Sequence, residues 1–149
     1  MMLLVIAFAT ALALVGLGGG FYEVLVVDPF WPRRPDLVQP PQGGISRRRF
    51  WIPAHVAFEV ALIASLIGAW SLPSVRLALL VALASHAVMR IWSAFDFIPK
   101  VLAVERAEPG TITEASARAW TRRSRLRLLF DFVTCGGLLW ALVAAARLG

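Results

Sequence analysis

Two titratable side chains stand four residues apart in the apolar stretch WIPAHVAFEV, residues 51–60, at His55 and Glu59. At this spacing both side chains lie on one face of a helix. His86 and Arg90 repeat the spacing in a second apolar stretch. Imidazole and carboxylate groups transfer protons, and a guanidinium group stabilises a developing oxyanion. These residue types therefore predict acid–base chemistry in apolar surroundings.

Four apolar runs must position these groups, and each is long enough to cross a bilayer, which takes about 20 helical residues. The runs cover about residues 2–27, 50–70, 75–97 and 126–148. Of the 149 residues, 59% are hydrophobic, a larger share than in soluble domains. The first run has neither a basic start nor a clean cleavage site, so we expect a retained helix rather than a signal peptide. The sequence therefore predicts an all-α fold, a single integral membrane four-helix transmembrane bundle.

The basic residues predict the orientation of this bundle. Most of the 14 arginines and the single lysine lie in the loops 28–49 and 98–125. The positive-inside rule places both loops in the cytoplasm and both termini outside, as in a bacterial inner membrane. Because the arginines lie between apolar runs, they favour membrane lipids as partners and exclude nucleic acid. Arg127, at the start of the last run, is expected to extend towards lipid phosphates.

Local signals predict how the loops and helix ends are built. The first loop has five prolines in its first 14 residues, which suits a strap across the mouth of the bundle. In the second loop, TITE at Thr111–Glu114 matches a capping box, and the helix that it starts is expected to run on into the last span. Pro73 and Pro99 are expected just beyond helix ends.

Six polar side chains are predicted to meet in the cytoplasmic half of the bundle. Counted from the cytoplasmic end of each run at about 1.5 Å per residue, their depths run from about 6 to about 16 Å, and His86 lies about 9 Å deeper than His55. One arginine cannot neutralise three carboxylates, so some must be protonated, metal-bound or solvated by a cavity. The six, predicted to be the catalytic residues, are Glu23, His55, Glu59, His86, Arg90 and Asp131.

Five of the six receive an expected role, and Glu23 is a further member of the site. His55 with Glu59 is the acid–base pair and Arg90 the anion stabiliser. His86 and Asp131 orient the substrate or hold a metal. The aromatic residues expected to contact the substrate are Tyr22, Trp31, Trp51 and Trp92.

The preferred function is a small membrane enzyme, an oxygenase or an isomerase or cyclase, that acts on a lipophilic small molecule. No cofactor is favoured. A haem or metal protein with His55 and His86 as ligands, joined by Glu59 for a metal, is an alternative. A proton-coupled transporter or transporter subunit is another. Purely structural ion pairs and a homo-oligomer also stay open.

The stretch GGGFYEVLVVDPFW, residues 18–31, resembles the first-helix signature of the DUF1772 (anthrone oxygenase-like) family. That family consists of small four-span proteins of about this length. The resemblance covers the overall layout and the first 35 residues, and it implies an oxygenase. It would carry over Tyr22, Glu23, Pro29 and Trp31 as the matching positions.

Cysteines introduced at Ser46, in the first loop, and at Ser71, in the short turn between the second and third runs, test the orientation. We expect a membrane-impermeant thiol reagent to reach Ser71→Cys from outside and Ser46→Cys only from the cytoplasm. Labelling of Ser46→Cys only from outside would overturn the orientation.

Overall fold

The computed structural model describes residues 1–108 and 110–148, and these residues form helices and connecting turns with no strand. Two π turns, Glu23–Val27 after α1 and Ser93–Phe97 between α3 and α4, extend the helical path. Short 3-10 turns cover Pro35–Val38 and Pro40–Gln42. The α-helices are α1 (Met2–Tyr22), α2 (Arg48–Gly68), α3 (Pro73–Trp92), α4 (Ile98–Arg106), α5 (Glu114–Arg125) and α6 (Arg127–Ala146).

Four helical stretches are long and apolar enough to cross a membrane, which confirms the predicted all-α bundle of four spans. Each overlaps one of the four predicted runs, and the second and fourth stretches end two residues before the predicted limits. The third and fourth have 34 and 33 residues, more than the roughly 20 that a span requires. These two stretches therefore extend beyond the membrane span at one end of the bundle. This end carries segments 28–47 and 98–126, and we call it the loop end. The stretches are Met2–Val27, Arg48–Gly68, Pro73–Arg106 and Glu114–Ala146.

Two local predictions about helix ends are wrong. Pro99 does not follow a helix end but lies in the first turn of α4. The π turn before it changes the hydrogen-bond register, and a proline needs no amide partner in a first turn. The N-cap of α5 is Thr113 rather than Thr111: its hydroxyl accepts from the Ser116 amide at 3.2 Å.

Helix α1 packs between α2 and α6, and α6 packs in turn against α3. The contact between α3 and α6 is close because Gly137 faces α3. A Cβ at this position would lie 3.0 Å from the Ala78 carbonyl oxygen and 3.1 Å from the Ala82 side chain. Helices α2 and α3 are joined by a short turn yet approach each other much less. A gap between them therefore remains in the bundle wall.

Two apolar clusters close the two ends of the bundle. The larger, at the end with both chain termini, includes the fully buried Ile6, Leu62, Leu79 and Leu138. Segment 28–47 crosses the loop end, where the Gln39 amide donates to the carbonyl oxygens of Val104 and Ala107 at 2.8 and 3.1 Å. Beneath this segment lies the loop-end cluster, Val27, Trp31, Val38, Phe97, Ala117 and Trp120. The six predicted catalytic residues lie between the two clusters.

Candidate functional site

A cavity of about 410 Å³ lies between the two clusters. Such a volume suits a small organic molecule. Its wall combines apolar side chains with charged groups from the π turn after α1, from α2, α3 and α6, and from the segment that precedes α2. The titratable residues among them include Glu23, Arg47, His55, Arg90, Arg127 and Asp131.

Glu59 joins α2 to α3 beside this cavity. Its Oε1 atom accepts from Arg90 Nε at 2.8 Å and lies 3.2 Å from His86 Nε2. Glu59 and Arg90 each leave 36% of the side chain exposed, so the pair lies at the edge of the gap rather than in the centre of the bundle. One donor atom each from His55, Glu59 and His86 lies within 4.8 Å of the others.

Aromatic side chains fix the orientation of both imidazoles. Trp51 stacks on His55, with ring centroids 5.4 Å apart and an interplanar angle of 24°. Phe58 meets His86 edge-on at 4.8 Å. The two imidazole centroids lie 5.8 Å apart, so the large separation predicted from helix depth is wrong. The count assumed that the run ends, residues 50 and 97, lie at the same level, whereas the third helical stretch continues past residue 97 to Arg106.

Glu23 lies at the loop end of the cavity and binds two neighbours. Its Oε1 atom accepts from Trp51 Nε1 at 3.3 Å, and Oε2 lies 3.5 Å from Arg47 Nη1. The Arg47 guanidinium lies 5.5 Å from the Trp31 ring centroid and 5.3 Å from that of Trp120. Arg47 thereby connects Glu23 to the loop-end cluster.

Arg127 lies in the cavity wall instead of extending to lipid phosphates. Its Nη2 atom donates to Ser124 Oγ at 2.7 Å, and its guanidinium covers the Phe97 ring at 4.5 Å. Sequence reasoning assigned no site role to Arg47 or Arg127. Only the apolar residues on both sides of Arg127 signalled that it could lie inside the bundle.

Asp131 has no Lys, Arg or His nitrogen within 4.0 Å in the part of the chain that the structure describes. Its carboxylate lines the main cavity and also a separate void of about 20 Å³. His55 and His86 border the same void. The structure thus brings Asp131 and both imidazoles around one small space.

The four aromatic residues expected to contact substrate divide into two groups. Trp51 lines the cavity. Tyr22 is exposed on the outer surface, Trp31 is buried in the loop-end cluster, and Trp92 packs against Phe97 and Phe130. These last three expected residues lie outside the cavity wall.

Asp28, expected from the sequence to make only a helix-end or loop contact, is a buried carboxyl at the loop end of the cavity. Its Oδ1 atom accepts from Trp31 Nε1 at 3.1 Å. Burial raises the pKa of Asp28 from 3.8 to about 6, although the Trp31 hydrogen bond lowers it. The folded protein therefore holds this proton more tightly than the unfolded chain. Asp28 contributes stability below pH 3.8 that is lost as the pH rises through about 6.

Replacing Asp28 by asparagine should stabilise the protein at pH 7 by about 1–3 kcal/mol, since one pKa unit corresponds to about 1.4 kcal/mol. The gain in stability should nearly vanish around pH 4, because the wild-type carboxyl is then protonated. The asparagine side chain keeps an oxygen that can accept the hydrogen bond from Trp31. Thermal unfolding in detergent micelles at both pH values measures the effect. Asp36→Asn, at an exposed carboxylate paired with Arg34 at 2.8 Å, is the matched control and should give no gain. An equal gain at both pH values would contradict the assignment.

Comparisons of the chain with models of protein families, with curated proteins and with solved structures gave no match. The resemblance to the DUF1772 family therefore stays a prediction, and the site geometry has to support any function by itself.

Proposed function

We propose that this protein is a membrane enzyme that acts on a lipophilic small molecule bound in the 410 Å³ cavity. The observation that carries the proposal is the placement of His55 and Arg90. Both line a cavity whose surface is mostly apolar but which also carries six further charged side chains. An apolar pocket with a few convergent polar groups is the usual form of a small-molecule site.

The gap between α2 and α3 supports access from the bilayer. Ile52 and Val56 of α2 line the cavity, yet 59% and 55% of their surfaces are exposed. On the opposite side of the gap, Ile98 lines the cavity and is 42% exposed. Residues that face both the cavity and the outside mark an opening. Because these side chains are apolar, the opening suits a substrate dissolved in lipid.

The contacts suggest how the reactive groups divide the work. His55 reaches the cavity and would exchange a proton with the substrate. Arg90 also reaches it and, held by Glu59, would stabilise an oxyanion such as an enolate. Glu59 contacts His86 and Arg90 directly, so its role here is to orient both. Proton transfer combined with oxyanion stabilisation supports isomerase, cyclase or cofactor-independent oxygenase chemistry.

The arginine-rich loop end supports an orientation with this end in the cytoplasm and both termini outside, as in a bacterial inner membrane. The apolar cluster at the other end favours an enzyme over a transporter. It includes four fully buried aliphatic side chains, Ile6, Leu62, Leu79 and Leu138, where a transport path would need polar groups.

Replacing Val56 by tryptophan should close the gap and reduce the amount of lipophilic molecule bound. Protein purified in mild detergent would be extracted with solvent, and the extract compared by mass spectrometry. We expect at least a tenfold loss of the molecule that co-purifies with the wild type, which corresponds to about 1.4 kcal/mol.

Val60→Trp is the matched control for this experiment. Val60 lies one turn further along α2, is 64% exposed and does not line the cavity. It should retain the bound molecule. Equal retention by both variants would argue against access through this gap, and a wild-type protein without any specific bound molecule would argue against the substrate class.

Glu59→Gln should abolish turnover without unfolding the protein, because a neutral amide binds Arg90 and His86 less strongly than a carboxylate does. Membranes that contain wild-type or variant protein would be incubated with lipid extracts of the source cells. Mass spectrometry would then identify the compounds that only the wild type consumes. Glu114→Gln is the control, since Glu114 is also paired with two arginines, Arg33 and Arg118, but away from the cavity. Full conversion by Glu59→Gln would remove this residue from the mechanism.

A further inference from the structure

We propose that His55, Glu59 and His86 bind one divalent transition-metal ion. The inference rests on the site proposed above and changes one assignment in it: with the ion bound, a water molecule in the small void, rather than His55, would exchange the proton with the substrate. One donor atom of each residue lies within 4.8 Å of the other two. In a metal site, donors bonded at about 2.1 Å lie roughly 3–4 Å from one another. The three groups therefore need to close by about an ångström, which rotation of their side chains supplies.

The donor set itself narrows the class of ion. Two imidazoles and one carboxylate suit zinc, iron(II) or manganese(II), and the same set occurs in catalytic sites that keep open coordination positions. None of the three donors is a thiolate, and Cys135 borders the small void without belonging to the cluster, so a soft ion such as copper(I) is disfavoured. The hard ions calcium and magnesium prefer oxygen ligands, which here number one carboxylate.

The helices pre-form this arrangement before any ion binds. His55 and Glu59 share one face of α2, and α3 presents His86 from across the gap. Trp51 and Phe58 hold the two rings. Arg90 binds Glu59 Oε1, which leaves Oε2 for an ion. Second contacts of this kind orient metal ligands and raise affinity.

The small void supplies an open coordination position. Its volume of about 20 Å³ exceeds the roughly 10–15 Å³ that one water molecule requires. Both imidazoles and Asp131 border it. A water molecule there would complete the coordination of the ion and donate a hydrogen bond to the Asp131 carboxylate. The Asp131 carboxylate would thereby gain a hydrogen-bond donor, since among the described residues no Lys, Arg or His nitrogen lies within 4.0 Å of it.

The geometry favours a bare ion over haem. The imidazole centroids are 5.8 Å apart, and His86 Nε2 faces Glu59. Trp51 covers the face of the His55 ring. A porphyrin between the two histidines would need a wide planar slot, and these side chains already occupy that space.

The test is metal binding to the full chain in mild detergent, with any affinity tag removed and bound metal first stripped by a chelator. Calorimetric titration with Zn²⁺ should give one equivalent per chain. Co²⁺ should produce the visible absorption band of a four- or five-coordinate site with nitrogen and oxygen ligands. A wild-type protein that binds neither ion specifically would overturn the proposal without recourse to any variant.

Three variants assign the ligands. His55→Ala, His86→Ala and Glu59→Gln should each weaken Zn²⁺ binding by at least about 100-fold, since even second contacts cost 10–100-fold. Glu114→Gln, at an ion-paired carboxylate outside the site, should bind as the wild type does. Each variant is first shown to be folded by its elution volume and thermal unfolding. Unchanged affinity in folded Glu59→Gln or in either folded histidine variant would remove that residue as a ligand and overturn the three-ligand site.

The two proposals fail separately. Absence of Zn²⁺ binding in a protein that still carries a lipophilic molecule would reject the metal site and leave the enzyme. One tight Zn²⁺ equivalent in a protein that binds and converts no lipophilic compound would reject the proposed function and leave the metal site.

Discussion

The ion pair between Glu59 and Arg90 is the contact on which the rest of the site depends. Helices α2 and α3 pack against each other only sparsely, so this pair holds them together at mid-bundle. Charges inside a membrane are costly unless they are paired, which favours keeping Glu59 and Arg90 in contact. The same carboxylate contacts His86, and α2 also carries His55. Glu59 thus connects α2 to α3 across the gap and contacts the His86 imidazole.

Two π turns shape the loop end of the cavity. Glu23–Val27 and Ser93–Phe97 each insert a wider turn into a span-length helix, a distortion that is common at functional sites. Glu23 and Val24 of the first turn and Ser93 and Phe97 of the second line the cavity. A regular α-helix, without the changed hydrogen-bond register of the π turn, would direct these side chains away from the cavity. The turns therefore belong to the site as much as the charged residues do.

The sequence predicted the features that follow from local pattern. Hydropathy alone located four spans, and i,i+4 spacing put His55 beside Glu59. It did not predict Arg47, because that side chain is positioned by Trp31 and Trp120 from distant parts of the chain. It also missed both π turns. The turn at Ser93–Phe97 precedes Pro99, and a proline at this place indicates an ordinary helix end. The position of a side chain that depends on packing between distant segments cannot be predicted from the periodicity of the sequence.

The third and fourth helical stretches are longer than the bilayer requires, and they carry the loop-end cluster with them. The level of the lipid head groups is therefore not fixed by the length of these helices. In a thin membrane the Glu59–Arg90 pair lies nearer to water, and in a thick one it lies deeper in hydrocarbon. Bilayer thickness thus sets the local dielectric around the Glu59–Arg90 pair, in addition to the side chains that surround it.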